Sequence, residues 1–579
     1  MPRKYDLTPS VLLVFLPLIL FFALFLIYPI LYVFKASFWI DNHFNLTFFK
    51  LIVTDPNIRE LVVNSFKLAA MVTLMTTLVS LPLAYFLTRY RFPGRSVMQG
   101  VILIPMIMPP FVGVIGMQQF FGKFGSVNAL LMKLGIIDVR GLIDWFSSGF
   151  WGVVLLSTLH LYPIMYLNVV AALANIDPSL EEAAENMGAS RFRLFRTVTL
   201  PLLLPGYFAG GILVFIWAFT DLGTPLMFDY SEVIAVRIFR QVLDANVNPM
   251  GYALVVLVVV LTALAFYLSK KWSGRRHYEM LGRGHVGSRE IQAGPWMCGV
   301  IYLFVGMLTF IAMLPHISVI LISLTPNAGE WGLRVLPKSY TLEHYRDVFT
   351  HEDTLRSITN SLKYSVSSTL LALIVGVLLA YLLTRKRLPF HNLLDSLAML
   401  PLALPGIALA FGYVGSFADT TLLLKYMPDS VVHAIDPRKN PTLLLIISYS
   451  VRRLPYMLRS IYAGLQQTSI TYEEASQNLG ANPRKTLYKI TIPLVMANII
   501  AGSILVFSFS MLEVSDSLIL AMKSQFYPIT KLIWTLSQRP VGGDQLASAL
   551  GVVGMFILIT CLILAGRSLG GKLGEIFRI

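Results

Sequence analysis

Charge is scarce in this sequence. Asp, Glu, Lys and Arg make up 13% of its 579 residues and hydrophobic residues 56%, against about 25% and 45–50% in soluble proteins. A chain this long and this poor in charge is not a set of ordinary water-facing domains. Cysteine is scarcer still: Cys298 and Cys561 are the two, both inside apolar runs. That excludes a disulfide framework and a Cys/His metal cluster, and no metal-ligand set is assigned. Acidic residues are outnumbered by Lys and Arg, 31 to 46, for a net charge of +15. The basic residues form short runs between apolar segments, not one patch interleaved with stacking aromatics, so nucleic acid is not an expected partner. No Ser/His/Asp or paired-carboxylate arrangement stands out as an enzyme site. A near-match to a phosphate loop, Gly566 followed by Gly571-Lys572, has Leu573 where Ser or Thr must hold Mg²⁺. ATP hydrolysis by this chain is not expected.

Apolar length is what the sequence has in abundance. Runs of about 20 residues cross ~30 Å of hydrocarbon. Twelve are placed near residues 11–34, 62–88, 98–122, 150–174, 203–228, 251–269, 296–323, 361–384, 393–415, 442–465, 495–521 and 548–566. The expected fold class is therefore all-α and polytopic, in a lipid bilayer. Met1-Pro2-Arg3-Lys4 could open a signal peptide, but the apolar run continues to Phe34 without an Ala-x-Ala-like site. It reads as a retained span. Arg89-Tyr90-Arg91, Lys270-Lys271, Arg275-Arg276 and Arg385-Lys386-Arg387 fall on one side. That bias marks the side as cytoplasmic, with both termini on it.

The chain is written twice. Glu182-Ala183-Ala184, Gly188 and Val198-Thr199-Leu200-Pro201 recur as Glu474-Ala475-Ser476, Gly480 and Ile490-Thr491-Ile492-Pro493, at an offset of 292 (474 − 182). Asn64-Ser65-Phe66-Lys67 recurs as Asn360-Ser361-Leu362-Lys363, and Ala84-Tyr85-Phe86-Leu87-Thr88-Arg89 as Ala380-Tyr381-Leu382-Leu383-Thr384-Arg385, at an offset of 296 (360 − 64). The change of offset places a net four-residue deletion in the second half, between its third and fourth spans. A fixed repeat of this size is a duplicated module. Six spans return the chain to its starting side, so the halves are parallel repeats. They are assigned to residues 1–269 and 295–579, joined by a polar cytoplasmic linker at 270–294.

Both repeated loops fall on the cytoplasmic side. In the first, Asp177 can cap a helix opened by Pro178, and Glu181, Glu182 and Glu185 suit its positive end. Gly188 can stop that helix in a left-handed conformation. A basic amphipathic helix with Arg191, Arg193 and Arg196 is expected next, and Pro201 marks the return to the membrane. Small residues Ala183 and Ala184 would let a partner approach closely. The second copy repeats this with Glu473, Glu474, Gly480, Arg484, Lys485 and Pro493, and adds Pro483 at the start of its basic helix.

The pattern Glu-Ala-Ala, three residues, Gly, nine residues, then Ile-x-Leu-Pro resembles the "EAA" loop of permease subunits of bacterial ATP-binding-cassette importers. The likeness covers nearly the whole chain and implies the type I permease fold. In that family the loop helix docks into a groove of the ATPase. The resemblance thus implies coupling roles for Glu182, Ala183, Ala184 and Gly188, and for Glu474, Ala475 and Gly480. Ser476 and Ile492 stand where the family has Ala and Leu, small departures that keep docking. Two halves in one chain are similar to the fused permeases of ferric-iron and thiamine importers. That implies two ATPase subunits as partners, with ATP and Mg on them and no cofactor on this chain. It also implies an extracytoplasmic binding protein and a place in the bacterial inner membrane. Ferric iron is the leading substrate; thiamine, aminoethylphosphonate, sugar phosphates and polyamines are alternatives. An ion-gradient-driven secondary transporter would share the span count and the parallel halves, but it leaves the paired loops unexplained. A receptor or scaffold explains less.

Ionisable residues at membrane depth complete the candidates. His160 and Arg452 are repeat equivalents, as are Asp221 and Glu513, both at offset 292 (452 − 160). Arg453, Arg459 and Asp516 make the second half the more charged. Two readings stay open. In one, Asp221, Glu513 and Asp516 line a path and offer oxygen to a hard cation. In the other, Glu513 or Asp516 pairs with Arg452 or Arg453 to hold two spans together, and Asp221 lies at the outer interface. Pro105, Met106, Met108, Pro109 and Pro110, with Pro401 and Leu404-Pro405-Gly406, interrupt spans three and nine. A bend beside a cavity or a plain structural kink would each account for them.

Overall fold

The computed structural model describes residues 8–40, 43–107, 109–242, 249–274, 290–418 and 421–568. Met1–Lys4, Met108, Arg275-Arg276, most of the expected linker and Gly571-Lys572-Leu573 lie outside the described residues.

Among the described residues the helices of the first half recur in the second, and nine such pairs frame the fold. The first set is α1 (Val11–Phe38), α2 (Pro56–Arg89), α3 (Pro110–Phe121), α4 (Phe150–Ala174), α5 (Pro178–Asn186), α6 (Leu200–Thr220), α7 (Gly223–Met227), α8 (Ile234–Arg240) and α9 (Met250–Gly274). The second is α10 (Pro295–Ser323), α11 (Glu352–Arg385), α12 (Gly406–Ser416), α13 (Thr442–Gln467), α14 (Thr471–Asn478), α15 (Met496–Met511), α16 (Ser515–Leu520), α17 (Ile529–Ser537) and α18 (Gly543–Ser568). Strand among the described residues is confined to two-residue pairings. One of them, Tyr90–Arg91 parallel to Ile291–Gln292, ties the end of the linker to the end of α2.

Eight helices are long and apolar enough to span a membrane, and three bent pairs raise the number to eleven among the described residues. The twelfth expected span is α13. Every span-length stretch of it contains Arg452, Arg453 and Arg459, so it is too charged to face lipid. It packs instead between α11 and α15. The proline clusters are sharp breaks. Arg95–Met106 meets Phe111–Lys133 at 98°, and His391–Ala403 meets Gly406–Ser416 at 104°. The residue before a proline is steered out of the helical region. Leu404, before Pro405, sits at ψ 127°, as does Pro109, before Pro110.

The halves are interlocked at their first helices. α1 packs against α12 of the other half, and α10 against α3. Tyr413 donates to the Phe25 carbonyl at 2.6 Å and Tyr28 to that of Ser416 at 3.2 Å. Gly116 lets α3 approach α10 closely: a Cβ there would sit 2.6 Å from the Pro315 carbonyl oxygen. The remaining faces of α1 and α10 expose Leu13, Leu20, Leu303 and Phe310, as lipid-facing helices should.

Candidate functional site

The two loops fold alike. Asp177 accepts from the Ser179 amide at 2.9 Å and caps α5, and this bonding holds its carboxyl below the ordinary carboxylate range. Gly188 (φ +80°) and Gly480 (φ +86°) end α5 and α14 in the left-handed region, as their spacing predicts. Glu182, Ala183 and Gly188 are exposed, as are Glu474, Ala475 and Gly480. Exposed apolar residues run beside them on one helical face: Leu180 and Met187 in the first loop, Tyr472 and Leu479 in the second.

Two expectations change. Ala184 is buried within this chain; its small size serves the packing of α5 against the segment Phe195–Thr199, not the approach of a partner. The basic stretch is also not a separate surface helix ended by Pro201. A short helix, Arg191–Leu194, runs through a π turn at Phe195–Thr199 directly into α6. Pro201 falls in the first turn of α6, and the widened turn supplies the register in which a missing N–H is tolerated. Pro493 likewise follows a π turn at Leu487–Thr491, but there the helix ends at Leu494 and turns by 73° into α15.

The structure adds residues that the motif did not single out. Glu181, buried, pairs with the equally buried Arg89 at the end of α2 and accepts from the Thr199 hydroxyl at 2.9 Å. Its counterpart Glu473 takes Arg385 Nε at 2.9 Å, and Arg385 also donates to the Thr468 carbonyl at 2.9 Å. The available signal was a Glu directly before each motif, with Thr-Arg ending each second span.

The intramembrane candidates meet where the halves join. Arg452 lies 2.6 Å from Glu513 and 3.1 Å from Asp516, while Arg453 pairs with the other Glu513 oxygen. Ser448 donates to Asp516 at 2.7 Å, and the Arg453 guanidinium lies 5.5 Å from the Phe509 ring centroid. Ion pairs thus tie α13 to the α15–α16 break. In the first half, His160 Nδ1 is 3.3 Å from the Pro105 carbonyl, so that nitrogen carries the proton. Asp221 accepts from the Gly223 and Thr224 amides at 3.1 and 3.4 Å, capping α7. His160, Asp221, Arg452, Arg453 and Glu513 line a cavity of about 160 Å³ that also touches Trp217. Arg459 turns away from it, to Asp395 at 3.2 Å.

Two segments, residues 77–276 and 372–572, each match the family described as binding-protein-dependent transport system inner membrane component. The chain belongs to that family. It is a fused, two-module permease of the ATP-binding-cassette importer type, and a multi-pass protein of the inner membrane. An ion-gradient-driven secondary transporter is thereby set aside. Relatives match in two ways. The ferric transport system permease protein FbpB of Actinobacillus pleuropneumoniae is 26% identical over 86% of this chain and 70% of its own length. The Fe(3+)-transport system permease protein FbpB 2 of Haemophilus influenzae is 24% identical over 90% of both. The molybdenum transport system permease protein ModB of H. influenzae is 30% identical over 39% of this chain but 98% of its own length. A relative of about half this length therefore corresponds to part of a chain along most of which the two ferric-transport relatives align.

Proposed function

We propose that this permease forms the translocation path of an ATP-driven importer and couples to two ATPase subunits through α5 and α14. The observation that carries the reading is the duplicated loop. Each copy presents an exposed Glu-Ala pair, an exposed apolar residue on either side and a left-handed glycine stop. Two equivalent docking helices in one chain call for two copies of one ATPase. The ATPase would carry ATP and Mg, and an extracytoplasmic binding protein would deliver cargo from the other side. Both termini and both loops are then cytoplasmic. The coupling residues are Glu182, Ala183, Gly188, Glu474, Ala475 and Gly480, with Ala184 holding α5 in place. His160, Asp221, Arg452, Arg453, Glu513 and Asp516 form or support the constriction between the halves. Residues 1–269 and 295–579 act as the two arms.

Ferric iron is the proposed substrate, because relatives that align along most of both halves are named for it. The test is uptake of radioactive ferric iron by cells that depend on this permease, with its ATPase and binding protein expressed alongside. Import that requires all three chains is expected. Import of thiamine or a phosphonate, but not iron, would keep the permease reading and overturn the substrate. Copurification of the ATPase tests the loops separately: bulky residues at Gly188 and Gly480 should abolish it, and retention would remove the loops from docking.

A further inference from the structure

α2 and α11 each contain 34 residues, about 51 Å of helix, against ~30 Å of hydrocarbon. Each is fastened at two levels, its loop end and a point well towards the other end, and in the same manner. At the loop end stand the buried pairs Arg89–Glu181 and Arg385–Glu473. Twenty-four residues back in each helix (89 − 65 and 385 − 361), about 36 Å away, stands a buried serine. Ser65 accepts from the first amide of α8, Ile234, at 2.9 Å, and Ser361 accepts from the first amide of α17, Ile529, at 2.8 Å.

α8 and α17 in turn meet each other. The Phe239 and Trp534 rings pack edge to face with centroids 5.8 Å apart. They are repeat equivalents, offset by 295 (534 − 239), as are Ile234 and Ile529. Equivalent residues that touch across a pseudo-two-fold lie on its axis, and in parallel repeats that axis runs along the membrane normal. Lys531 Nζ lies 5.5 Å from the Phe239 ring centroid and 4.8 Å from that of Trp534, and donates to the Leu518 carbonyl at 3.0 Å. The contact joins two aromatic rings and one cation.

We propose that α2 and α11 are struts that join each cytoplasmic loop to an outer closure made by Phe239, Lys531 and Trp534. The proposal rests on the reading of α5 and α14 as ATPase-docking helices. Arg89, Glu181, Arg385 and Glu473 are then positioning residues: they leave the docking surface intact and make the loop and the strut move as one body. Ser65 and Ser361 deliver that movement to α8 and α17.

The test uses the full complex with its ATPase, in a Cys298→Ser, Cys561→Ser background. Spin labels go on Arg240→Cys and Gln538→Cys, exposed positions at the ends of α8 and α17. Their separation is measured without nucleotide and with ATP plus vanadate. A shift of several ångströms is expected in this labelled parent. In Ser65→Ala/Ser361→Ala, and in Glu181→Gln/Glu473→Gln, the ATPase should still copurify while the shift falls by at least half and transport about tenfold. The serine pair keeps the test valid if the glutamate variants fail to fold. Retained copurification with an unaltered shift overturns the struts alone, and so does a parent that shows no shift. Failure of the ATPase to copurify with the parent overturns the docking reading, and the struts with it.

Discussion

The two halves share a scaffold and differ at its centre. At equivalent positions the first half has His160 and Asp221, the second Arg452 and Glu513. In the second half these side chains bind one another, at 2.6 Å, with Arg453 and Asp516 joined to them. In the first half each turns to the backbone, His160 to Pro105 and Asp221 to the start of α7. Among the described residues neither takes part in an ion pair. One half is thus held at the shared cavity by charge, and the other by packing and caps. A duplicated importer that needs one rigid and one yielding wall could reach it this way, because a buried ion network resists rearrangement more than a helix cap does.

The largest expected difference follows from removing the anion. Glu513→Gln leaves two buried guanidinium groups with Asp516 alone, and losing one partner of a buried pair costs about 3–5 kcal/mol. Asp221→Asn keeps an oxygen that can accept from the Gly223 amide, and should cost about 1 kcal/mol or less. Thermal unfolding of the two variants in the same detergent compares them directly. Equal shifts would show that the two centres are locked alike. Uptake at matched expression asks the separate question of function: unchanged transport in Glu513→Gln would remove that carboxylate from any essential role.

A smaller difference is expected one helix away. Gly406 lies against Arg452, and a Cβ there would fall 2.3 Å from the guanidinium. The position equivalent to Gly406 in the first half is Pro110, a residue with a full side chain. Gly406→Ala should push Arg452 off its carboxylates at a cost of about 1–3 kcal/mol, in the range of overpacked cores. Combined with Arg452→His, which restores the residue of the first half, the alanine should become nearly harmless. A thermal double-mutant cycle reads the coupling, and additive losses would break the assignment of this glycine to its arginine.

Much of this architecture was legible because it is local or repeated. The loops declared themselves through spacing, the breaks at Pro109 and Pro405 through proline's steric demand on the residue before it, and the halves through a constant offset. The pairing of Arg452 and Arg453 with Glu513 and Asp516 was one of two open readings, since an offset between repeats says nothing about which neighbouring helices face each other. Arg89 with Glu181 was out of reach for a related reason. They are 92 positions apart, and each had an adequate local explanation, as a topology signal and as a helix-dipole partner. Ala184 misled because a small residue suits a close approach from either side of a helix. Pro201 misled because a π turn, which has no sequence signature, let the helix pass through it.

The left-handed glycines are a point where the halves should not differ. A Cβ at Gly188 or Gly480 meets nothing within 4 Å, so the cost of alanine is conformational. It should be about 1–2 kcal/mol of local stability in either loop. Hydrogen exchange at the ends of α5 and α14 should rise by similar factors in Gly188→Ala and Gly480→Ala. A large excess in one loop would mean that the repeat is not mechanically symmetric at its loop end.

The helix starts, by contrast, should differ slightly and with a defined pH dependence. Asp177 caps α5 through the Ser179 amide at 2.9 Å. Its counterpart Ser469 reaches the Thr471 amide only at 3.3 Å, and its hydroxyl is engaged with Thr471 Oγ1. Bonding to Ser179 lowers the Asp177 carboxyl below its ordinary value of 3.8. A depressed folded-state value means the cap contributes fully above the unfolded value and is lost as pH falls through the folded one. Protection of the first turn of α5 should therefore hold down to about pH 4 and fade below it more steeply than that of α14, whose Ser469 cap carries no titrating group. Asp177→Asn, which caps without a charge, should keep the protection and reduce its pH dependence to that of α14. A steeper fade that survived in Asp177→Asn would assign the titration to another group and remove the only charge-based difference between the two loop starts.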